Sequence, residues 1–569
     1  MKKIIVVSLA ILLTSSIFAQ NGWNEVWSLQ QVPFQPENSF SEYAKVIAGF
    51  DTDKDGWGEF ITGYTDLDSN YIFMYEATGD NTYEMVWYWK FPTAGEGWFA
   101  VAVGNLDKND KEEIVVGWAS KIDANNVNPS RIFTFEWNGT IGENKYGRDK
   151  GDGIFQPSFK TNFGLPDNAA WNPYSMIIED IDNDNVNELI IGIRSGDRGR
   201  EVLIASAKGG DLVGFGTLEV EYNFQNTENG SNFCTITGDL DNDGNTDIFE
   251  MVWNLFTLRI FEVTGENTYE HVNDLEQIYT DKDIDYGSVD GMRILDINGD
   301  GKNELVIAGA DDSGVERHLF LIQNITDIST ITADDVIEFY YLPQNKRPNG
   351  SLIQAGLRNM VAGDPDKDGK INLIINGAES GQIFDLEYKG EGDLADSTSW
   401  NLNIIYDSFK IFADEVDSDS ASLLTPRHYY GDLANDMDGD GLSEYVFVNY
   451  STDKSIWAND VYISILESES TTDVKRVNRF IPKDISLNQN YPNPFNPTTN
   501  ISFGISLKGN VKLIVYDLLG KEIETILDEE KNAGNYSINF DGSNLSNGVY
   551  YYSLITNGKL LTKKMLLMK

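Results

Sequence analysis

The sequence predicts an all-β chain: a propeller of seven four-stranded repeats with a smaller β-sandwich behind it. Three observations predict this. A nine-residue acidic loop occurs seven times, short β-branched runs flank each copy, and the charge balance changes abruptly near residue 485.

The first loop, Asp51-Thr52-Asp53-Lys54-Asp55-Gly56-Trp57-Gly58-Glu59, carries oxygen side chains at positions 1, 3, 5 and 9 and glycine at position 6. The same positions recur as Asn105, Asp107, Asn109 and Glu113, and as Asp180, Asp182, Asp184 and Glu188. They recur again as Asp239, Asp241, Asp243 and Asp247, and as Asp296, Asn298, Asp300 and Glu304. The last two copies are Asp364, Asp366, Asp368 and Asn372, then Asp436, Asp438, Asp440 and Glu444. Successive copies start 54, 75, 59, 57, 68 and 72 residues apart, a period that signals a repeat architecture. Alternate residues of a tightly curled loop point inward together, and six to eight oxygens is what Ca2+ takes. Glycine at position 6 supplies the positive φ of the curl. Without a cation the carboxylates would repel one another.

The flanks are strands. Ala44-Lys45-Val46-Ile47-Ala48-Gly49 and Ala100-Val101-Ala102-Val103-Gly104 precede loops, and Phe60-Ile61-Thr62-Gly63 and Leu189-Ile190-Ile191-Gly192 follow them. Such β-branched runs ending in glycine place each loop between two strands. An EF-hand would need flanking helices and a glutamate at position 12, where Thr62 and Val116 stand. Third strands follow at Ile72 to Tyr75, Ile132 to Trp137, Ile260 to Val263 and Ile383 to Tyr388, and a fourth at Glu84 to Trp89. Four strands in each of seven repeats make a seven-bladed β-propeller.

With these flanks the loops resemble FG-GAP/VCBS-type repeats, the calcium-loop blades of integrin-α-like propellers, over roughly residues 40 to 466. The resemblance implies up to seven structural Ca2+ ions on one rim, each held by side chains at positions 1, 3, 5 and 9 and the carbonyl at position 7. Carboxylates fill 4, 2, 4, 4, 3, 3 and 4 of the four side-chain positions in order, and affinity should follow that charge. The second loop, with Asp110 where glycine normally stands, is the expected weak site.

Along the chain, residues 1–19 read as a signal peptide: Lys2 and Lys3, an apolar core from Ile4 to Leu13, and Ala19 at the cleavage position. That core is too short to span a bilayer, and no later stretch is long enough, so no transmembrane segment is expected. Residues 20–466 form the propeller, with the segment 23–35 expected to complete the last blade and remove an open edge. Cys234, the single cysteine, reads as a small core residue. Three longer regions, Asn138–Tyr174, Asp311–Gly350 and Gly390–Pro426, read as surface loops, either functional or tolerated by drift.

Residues 467–484 read as a polar linker. From Ile485 to Lys569 there are eight lysines and seven acidic residues, leaving 35 basic and 83 acidic residues before it. Short strands at Ile501–Ile505, Val511–Tyr516, Tyr536–Phe540 and Val549–Ile555 give a small Ig-like β-sandwich. The pieces Asn490-Tyr491-Pro492-Asn493-Pro494-Phe495-Asn496-Pro497, Val515-Tyr516-Asp517-Leu518-Leu519-Gly520, Gly548-Val549-Tyr550-Tyr551-Tyr552 and Lys563-Lys564-Met565 resemble the type A C-terminal sorting domain of the type IX secretion system. That resemblance implies the type IX machinery as a partner of residues 485–569. It also implies passage through the periplasm and outer membrane, ending with a secreted or cell-surface protein.

A net charge of −47 argues against nucleic acid and anionic lipid surfaces as partners. Three functions remain: an adhesion or binding module for an extracellular glycan or protein, a polysaccharide lyase or hydrolase on a propeller scaffold, and a structural subunit of an extracellular assembly. Trp98, Trp118, Trp171 and Trp253 could stack on sugars or fill the core. His271, His318 and His428 belong to no nucleophile motif, and no Gly-x-Ser-x-Gly elbow or phosphate loop is present. No catalytic residue is assigned.

Overall fold

The computed structural model describes the chain from Gly22 to Lys569 apart from residues 30–32, 34–41, 66–69, 93–98, 150–154, 198–199, 210–211, 214–215, 227–230, 254–255, 277, 279, 282–283, 288–289, 312–316, 347–349, 351, 354–355, 412–425, 451–460, 469–473, 479–484, 506–508, 532–533 and 557. The signal segment 1–19 and Trp98 therefore lie outside the described residues. The chain is all-β and forms two compact units, one within residues up to 469 and one made chiefly of Ser470–Lys569.

The described residues of the first unit hold seven antiparallel sheets built on four strands each. Sheet one is Glu42–Phe50, Glu59–Thr65, Asn70–Gly79 and Thr82–Lys90, and sheet two is Ala100–Gly104, Glu113–Gly117, Ile132–Glu136 and Phe159–Thr161. Sheet three is Trp171–Glu179, Glu188–Gly196, Arg200–Lys208 and Thr217–Asn226. Sheet four is Asn232–Gly238, Asp247–Val252, Thr257–Gly265 and Thr268–Leu275. Sheet five is Met292–Leu295, Glu304–Asp311, Arg317–Ile322 and Ile337–Tyr341, with an added hairpin Thr280–Asp281 and Ile284–Gly287. Sheet six is Asn359–Gly363, Asn372–Asn376, Gln382–Tyr388 and Trp400–Asp407. Sheet seven is His428–Ala434, Glu444–Asn449 and Ile463–Ser468, completed by the N-terminal strand Trp23–Leu29.

That last pairing runs from Trp23 opposite Ser468 to Leu29 opposite Ile463. The first strand of each sheet packs on the first strand of the next, and the seventh returns to the first. Second strands such as Glu113–Gly117 and Asp247–Val252 are buried at every residue. Their unbroken β-branched runs follow, because packed sheets cover both faces. All three regions read as loops hold a fourth strand: Phe159–Thr161, Ile337–Tyr341 and Trp400–Asp407. A strand of three to eight residues among turn-forming residues carries little periodicity, which is why sequence alone missed them.

The second unit is two four-stranded sheets sharing a core of Phe495, Ile501, Phe503, Val511, Leu513, Tyr552 and Met565. One sheet is Val474–Asn478, Gly534–Asp541, Thr498–Ile505 and Ser486–Leu487; the other is Glu522–Lys531, Gly509–Tyr516, Gly548–Thr556 and Lys559–Leu567. Val474–Asn478 corrects the reading of 467–484 as linker: its backbone pairs with Gly534–Asp541. Composition hid it, because Lys and Arg flank only two valines there.

Candidate metal centres

Each acidic loop joins the first two strands of its sheet, and all seven share one backbone form. Position 6 is left-handed in every copy: Gly56, Asp110, Asn185, Gly244, Gly301, Gly369 and Gly441 have φ between 62° and 98°. Position 4 is left-handed too, at Lys54, Lys108, Asn183, Asn242, Gly299, Lys367 and Gly439. The sequence signal for position 4 was present in Gly299, Gly439, Asn183 and Asn242, and absent from the three lysines.

The curl is tied by its own amides. Position 9 reaches back to position 2: Thr52 N donates to Glu59 Oε2 at 2.9 Å, Leu106 N to Glu113 Oε2 at 2.6 Å and Ile181 N to Glu188 Oε2 at 3.0 Å. Leu240 to Asp247, Ile297 to Glu304 and Met437 to Glu444 repeat it. The sixth loop has Pro365 at position 2, with no N–H to give, and Asn372 rather than a carboxylate at position 9. Asn372 Nδ2 donates to Asp385 Oδ1 at 2.8 Å instead. Position 1 accepts the amide of position 6, as Gly56 to Asp51, Asn185 to Asp180, Gly244 to Asp239, Gly301 to Asp296 and Gly369 to Asp364.

These bonds use only some of the oxygens. Asn105 Oδ1, Glu113 Oε1, Asp180 Oδ1, Glu188 Oε1 and Asn372 Oδ1 are buried without a partner. A buried acceptor left unpaired costs about 1–3 kcal/mol, so two at position 1 and three at position 9, in the second, third and sixth loops, call for a partner of their own. Carboxylate oxygens converge within 4.8 Å in Asp51, Asp53 and Glu59, and in Asp436, Asp438, Asp440 and Glu444. Burial above all, with like charge adding and the position-2 amide opposing, pushes Glu113 to about 9, Glu188 to about 8 and Asp247 to about 8. The residues fit a hard divalent cation, which would neutralise the inward oxygens.

Two sets of participants were not read from the sequence. Strand register places a third-strand glutamate opposite position 9: Glu76 opposite Glu59, Glu136 opposite Glu113, Glu262 opposite Asp247, Glu387 opposite Asn372 and Glu467 opposite Glu444. Glu76 converges with Asp53 and Asp55, and Glu136 with Asp107 and Glu113. The loops with fewer than four carboxylates, the second, fifth and sixth, are also those with lysine at position 7: Lys111, Lys302 and Lys370. Lys111 Nζ lies 2.5 Å from Glu136 Oε1, and Lys370 Nζ lies 3.8 Å from Glu387 Oε1. In the second loop Asn109 Nδ2 also donates to Glu136 Oε2 at 2.8 Å. In the second and sixth loops an ammonium thus stands beside the third-strand glutamate, whereas Lys302 of the fifth donates to Asn324 Oδ1 at 3.1 Å.

Position 3 has a second task. Its Oδ2 accepts a hydrogen bond from the following sheet: Asn144 Nδ2 to Asp53, Leu212 N to Asp107, Asn267 N to Asp182 and Ile328 N to Asp241, at 2.6–3.2 Å. Each of these loops is therefore latched to its neighbour.

The other candidates fall in the core. Trp118 and Trp171 are buried, whereas Trp253 is half-buried. Cys234 is buried, and burial pushes its thiol up to about 12. His428 Nε2 pairs with Ser408 Oγ at 2.8 Å, yet both are wholly buried and burial lowers the imidazole to about 3. That pair is packing, closed to any substrate. In the second unit Asn490 is buried, its Nδ2 donating to Thr499 Oγ1 at 3.0 Å and its N to Tyr552 Oη at 2.7 Å. Phe495 enters the core, so the Asn490–Pro497 motif is fixed at both ends.

Residues 489–568 match the secretion system C-terminal sorting domain. No curated protein matches the chain. Among solved structures, the periplasmic gluconolactonase PpgL of Pseudomonas aeruginosa is 10% identical with a TM-score of 0.35, over 63% of this chain and 84% of that one. An exo-inulinase from Aspergillus awamori is 11% identical with a TM-score of 0.26, over 84% and 92%. A fructofuranosidase from Schwanniomyces occidentalis is 9% identical with a TM-score of 0.29, over 95% and 92%. Likeness at this level carries no argument about function. The sorting domain does: the chain is exported by type IX secretion to the cell surface or extracellular space, with the secretion machinery as partner. No helix among the described residues is long and apolar enough to cross a membrane.

Proposed function

We propose that this chain is a calcium-stabilised binding or adhesion module for an extracellular glycan or protein. In this reading the seven sheets are the blades of an FG-GAP/VCBS-type propeller, and the exported unit is carried by an Ig-like sorting domain. The observation that carries it is the set of buried position-1 and position-9 oxygens in the second, third and sixth acidic loops, each short of a partner. A bound Ca2+ supplies positive charge there and no reaction chemistry. The residues that would hold it are those at positions 1, 3, 5 and 9 with the position-7 carbonyl, and Glu76 and its equivalents stand beside them. Extracellular sites of this kind bind at about 0.1–1 mM. At about 10 mM Ca2+ each filled site would add about 1.4–2.7 kcal/mol to stability.

The test is thermal unfolding of the full chain with Ca2+ and with chelator, beside a glycan array and an assay for reducing-end or unsaturated-uronate release. Expected are a large upward shift in Ca2+ and binding without product. No shift removes the metal assignment. Turnover replaces the binding module with a lyase or hydrolase.

A further inference from the structure

The acidic loops are joined to one another as well as to their own strands. The seam between the seventh and the first shows how. Gly58 N, at position 8 of the first loop, donates to Met437 O, at position 2 of the seventh, at 2.7 Å. A Cβ on Gly58 would stand 2.7 Å from Met437 Cα, so glycine is what lets the two backbones approach. Met437 N donates in turn to Glu444 Oε2 at 2.7 Å. Two hydrogen bonds thus run from position 9 of the seventh loop to the residue beside Glu59, which is position 9 of the first.

Other seams use side chains. Asn187, at position 8 of the third loop, donates from Nδ2 to Asn105 O, at position 1 of the second, at 2.7 Å. Asn303, at position 8 of the fifth, donates to Asp239 O, at position 1 of the fourth, at 2.6 Å. Lysines at position 4 reach the other way, to the position-6 carbonyl of the following loop. Lys54 Nζ donates to Asp110 O at 2.8 Å, and Lys367 Nζ to Gly441 O at 2.6 Å. Both lysines hold left-handed backbone, φ 60° and 59°, a strain that persists only where the surroundings over-determine it.

Five seams are bridged in these ways: seventh to first, first to second, second to third, fourth to fifth and sixth to seventh. Each tie ends on or beside a proposed metal ligand. Position 8 stands between the position-7 carbonyl and the position-9 side chain, position 1 is itself a ligand, and position 6 precedes the position-7 carbonyl. A cation in one loop would therefore order backbone that the next loop must also order, and the second ion would bind at a smaller entropic cost. Such an effect is mutual by thermodynamic necessity. Repulsion between ions does not reverse it. With two to four carboxylates against a charge of two, a filled loop is neutral or still negative towards its neighbour.

We propose that cation binding is positively coupled between adjacent loops, so that the rim fills as a cooperative belt with the Gly58–Met437 contact as one of its links. The inference rests on the calcium reading and adds a regulation to it: the belt fills over a narrower range of Ca2+ than independent sites would.

The test uses the full chain, stripped with chelator and titrated with Tb3+, whose luminescence is excited through nearby tryptophan. Trp57 is the position-7 residue of the first loop, and the part of the signal lost in Trp57→Phe belongs to that loop. Asp436→Asn removes an exposed position-1 charge from the seventh loop, and the first-loop midpoint should move to about 5-fold higher Tb3+ or more. Asp239→Asn makes the same change in the fourth loop, away from the first, and should leave the first-loop midpoint in place. Gly58→Ala keeps every ligand side chain and parts the seam, so it should weaken the first loop by itself, and Asp436→Asn should then add nothing. An unchanged first-loop midpoint in Asp436→Asn or in Gly58→Ala, or an equal shift from Asp239→Asn, overturns the coupling. Ca2+ competition and the Ca2+-dependent thermal shift are read on the same samples. Both present with independent loops remove the belt alone, and absence of both removes the metal reading with it.

Discussion

Trp23 is where the N-terminal strand enters the seventh sheet, and its removal tests whether that strand closes the unit. The side chain is 3% exposed, its ring meets Tyr445 edge-on at 6.5 Å, and Nε1 donates to Asp385 Oδ2 at 3.1 Å. Asp385 is itself buried in sheet six, where burial raises its pKa and hydrogen bonds from Asn372 and Trp23 lower it. Trp23→Phe keeps most of the ring and removes the donor, leaving a buried carboxylate oxygen short of a partner at a cost of about 1–3 kcal/mol. Trp23→Ala adds a cavity, for a total of about 3–5 kcal/mol. The cost of Trp23→Phe should fall at low pH, because losing a donor to the charged form raises the Asp385 pKa further and acid then restores the neutral group. The assay is urea unfolding in saturating Ca2+, read as a change in midpoint with the slope held, at pH 7 and pH 5. A Trp23→Ala loss below about 1 kcal/mol would refute the closure, since a strand that seals the unit cannot be dispensable.

Other outcomes follow from the loops. Calcium titration by calorimetry should resolve two classes, a tighter set in the first, third, fourth and seventh loops and a weaker set in the three with lysine at position 7; a single uniform class would contradict the role given to Lys111, Lys302 and Lys370. In chelator, thermal stability should fall as pH rises from about 5 to about 9. Glu113, Glu188 and Asp247 titrate near 9, 8 and 8 in the fold, against an ordinary carboxylate range near 4 when unfolded, so the folded state holds the extra protons in that window. With Ca2+ the profile should be flat, and a flat profile in chelator would count against burial of these carboxyls. Asp182→Asn should cost more stability in chelator than Asp184→Asn, because Asp182 also accepts the amide of Asn267 from the next sheet at 2.6 Å; equal losses would deny the latch. A fluorophosphonate should leave Ser408 unlabelled, and labelling would show that the buried Ser408–His428 pair opens to solvent.

The acidic loops were legible because metal-type ligation demands specific side chains at fixed spacing, and because seven repetitions multiply a weak local signal. The unbroken runs Ile114-Val115-Val116 and Leu189-Ile190-Ile191 were legible as strands for a packing reason: sheets that cover both faces tolerate no polar alternation. The fourth strands at Phe159–Thr161 and Trp400–Asp407 were not, since an outer strand gets its identity from its partner's hydrogen bonds more than from its own side chains. Glu522–Lys531, which pairs with Gly509–Tyr516, was not assigned from sequence either. The third-strand glutamates needed register, which a sequence without pairing does not display.

The cluster at the other ends of the first strands, where Lys45, Asp290, Tyr174, Trp253, Arg358 and Tyr429 gather, lay deepest out of reach. Lys45 inside an apolar strand was a visible oddity, but a bulge leaves no sequence mark, and six sheets must be assembled before its neighbours are known. The two ends of the first strands now read as complementary. At one end, acidic loops carry more negative charge than they can neutralise, and the position-3 latches of the first four tie that charge to the spacing of adjacent sheets. At the other end, the same strands bulge to bring Lys45 beside Asp290, and Arg358 lies over two rings near Glu379. Cation binding at the first end would fix the spacing of the strands whose starts hold Lys45, Tyr174, Phe233 and Tyr429. A cluster assembled from six sheets keeps its geometry only if those sheets keep theirs.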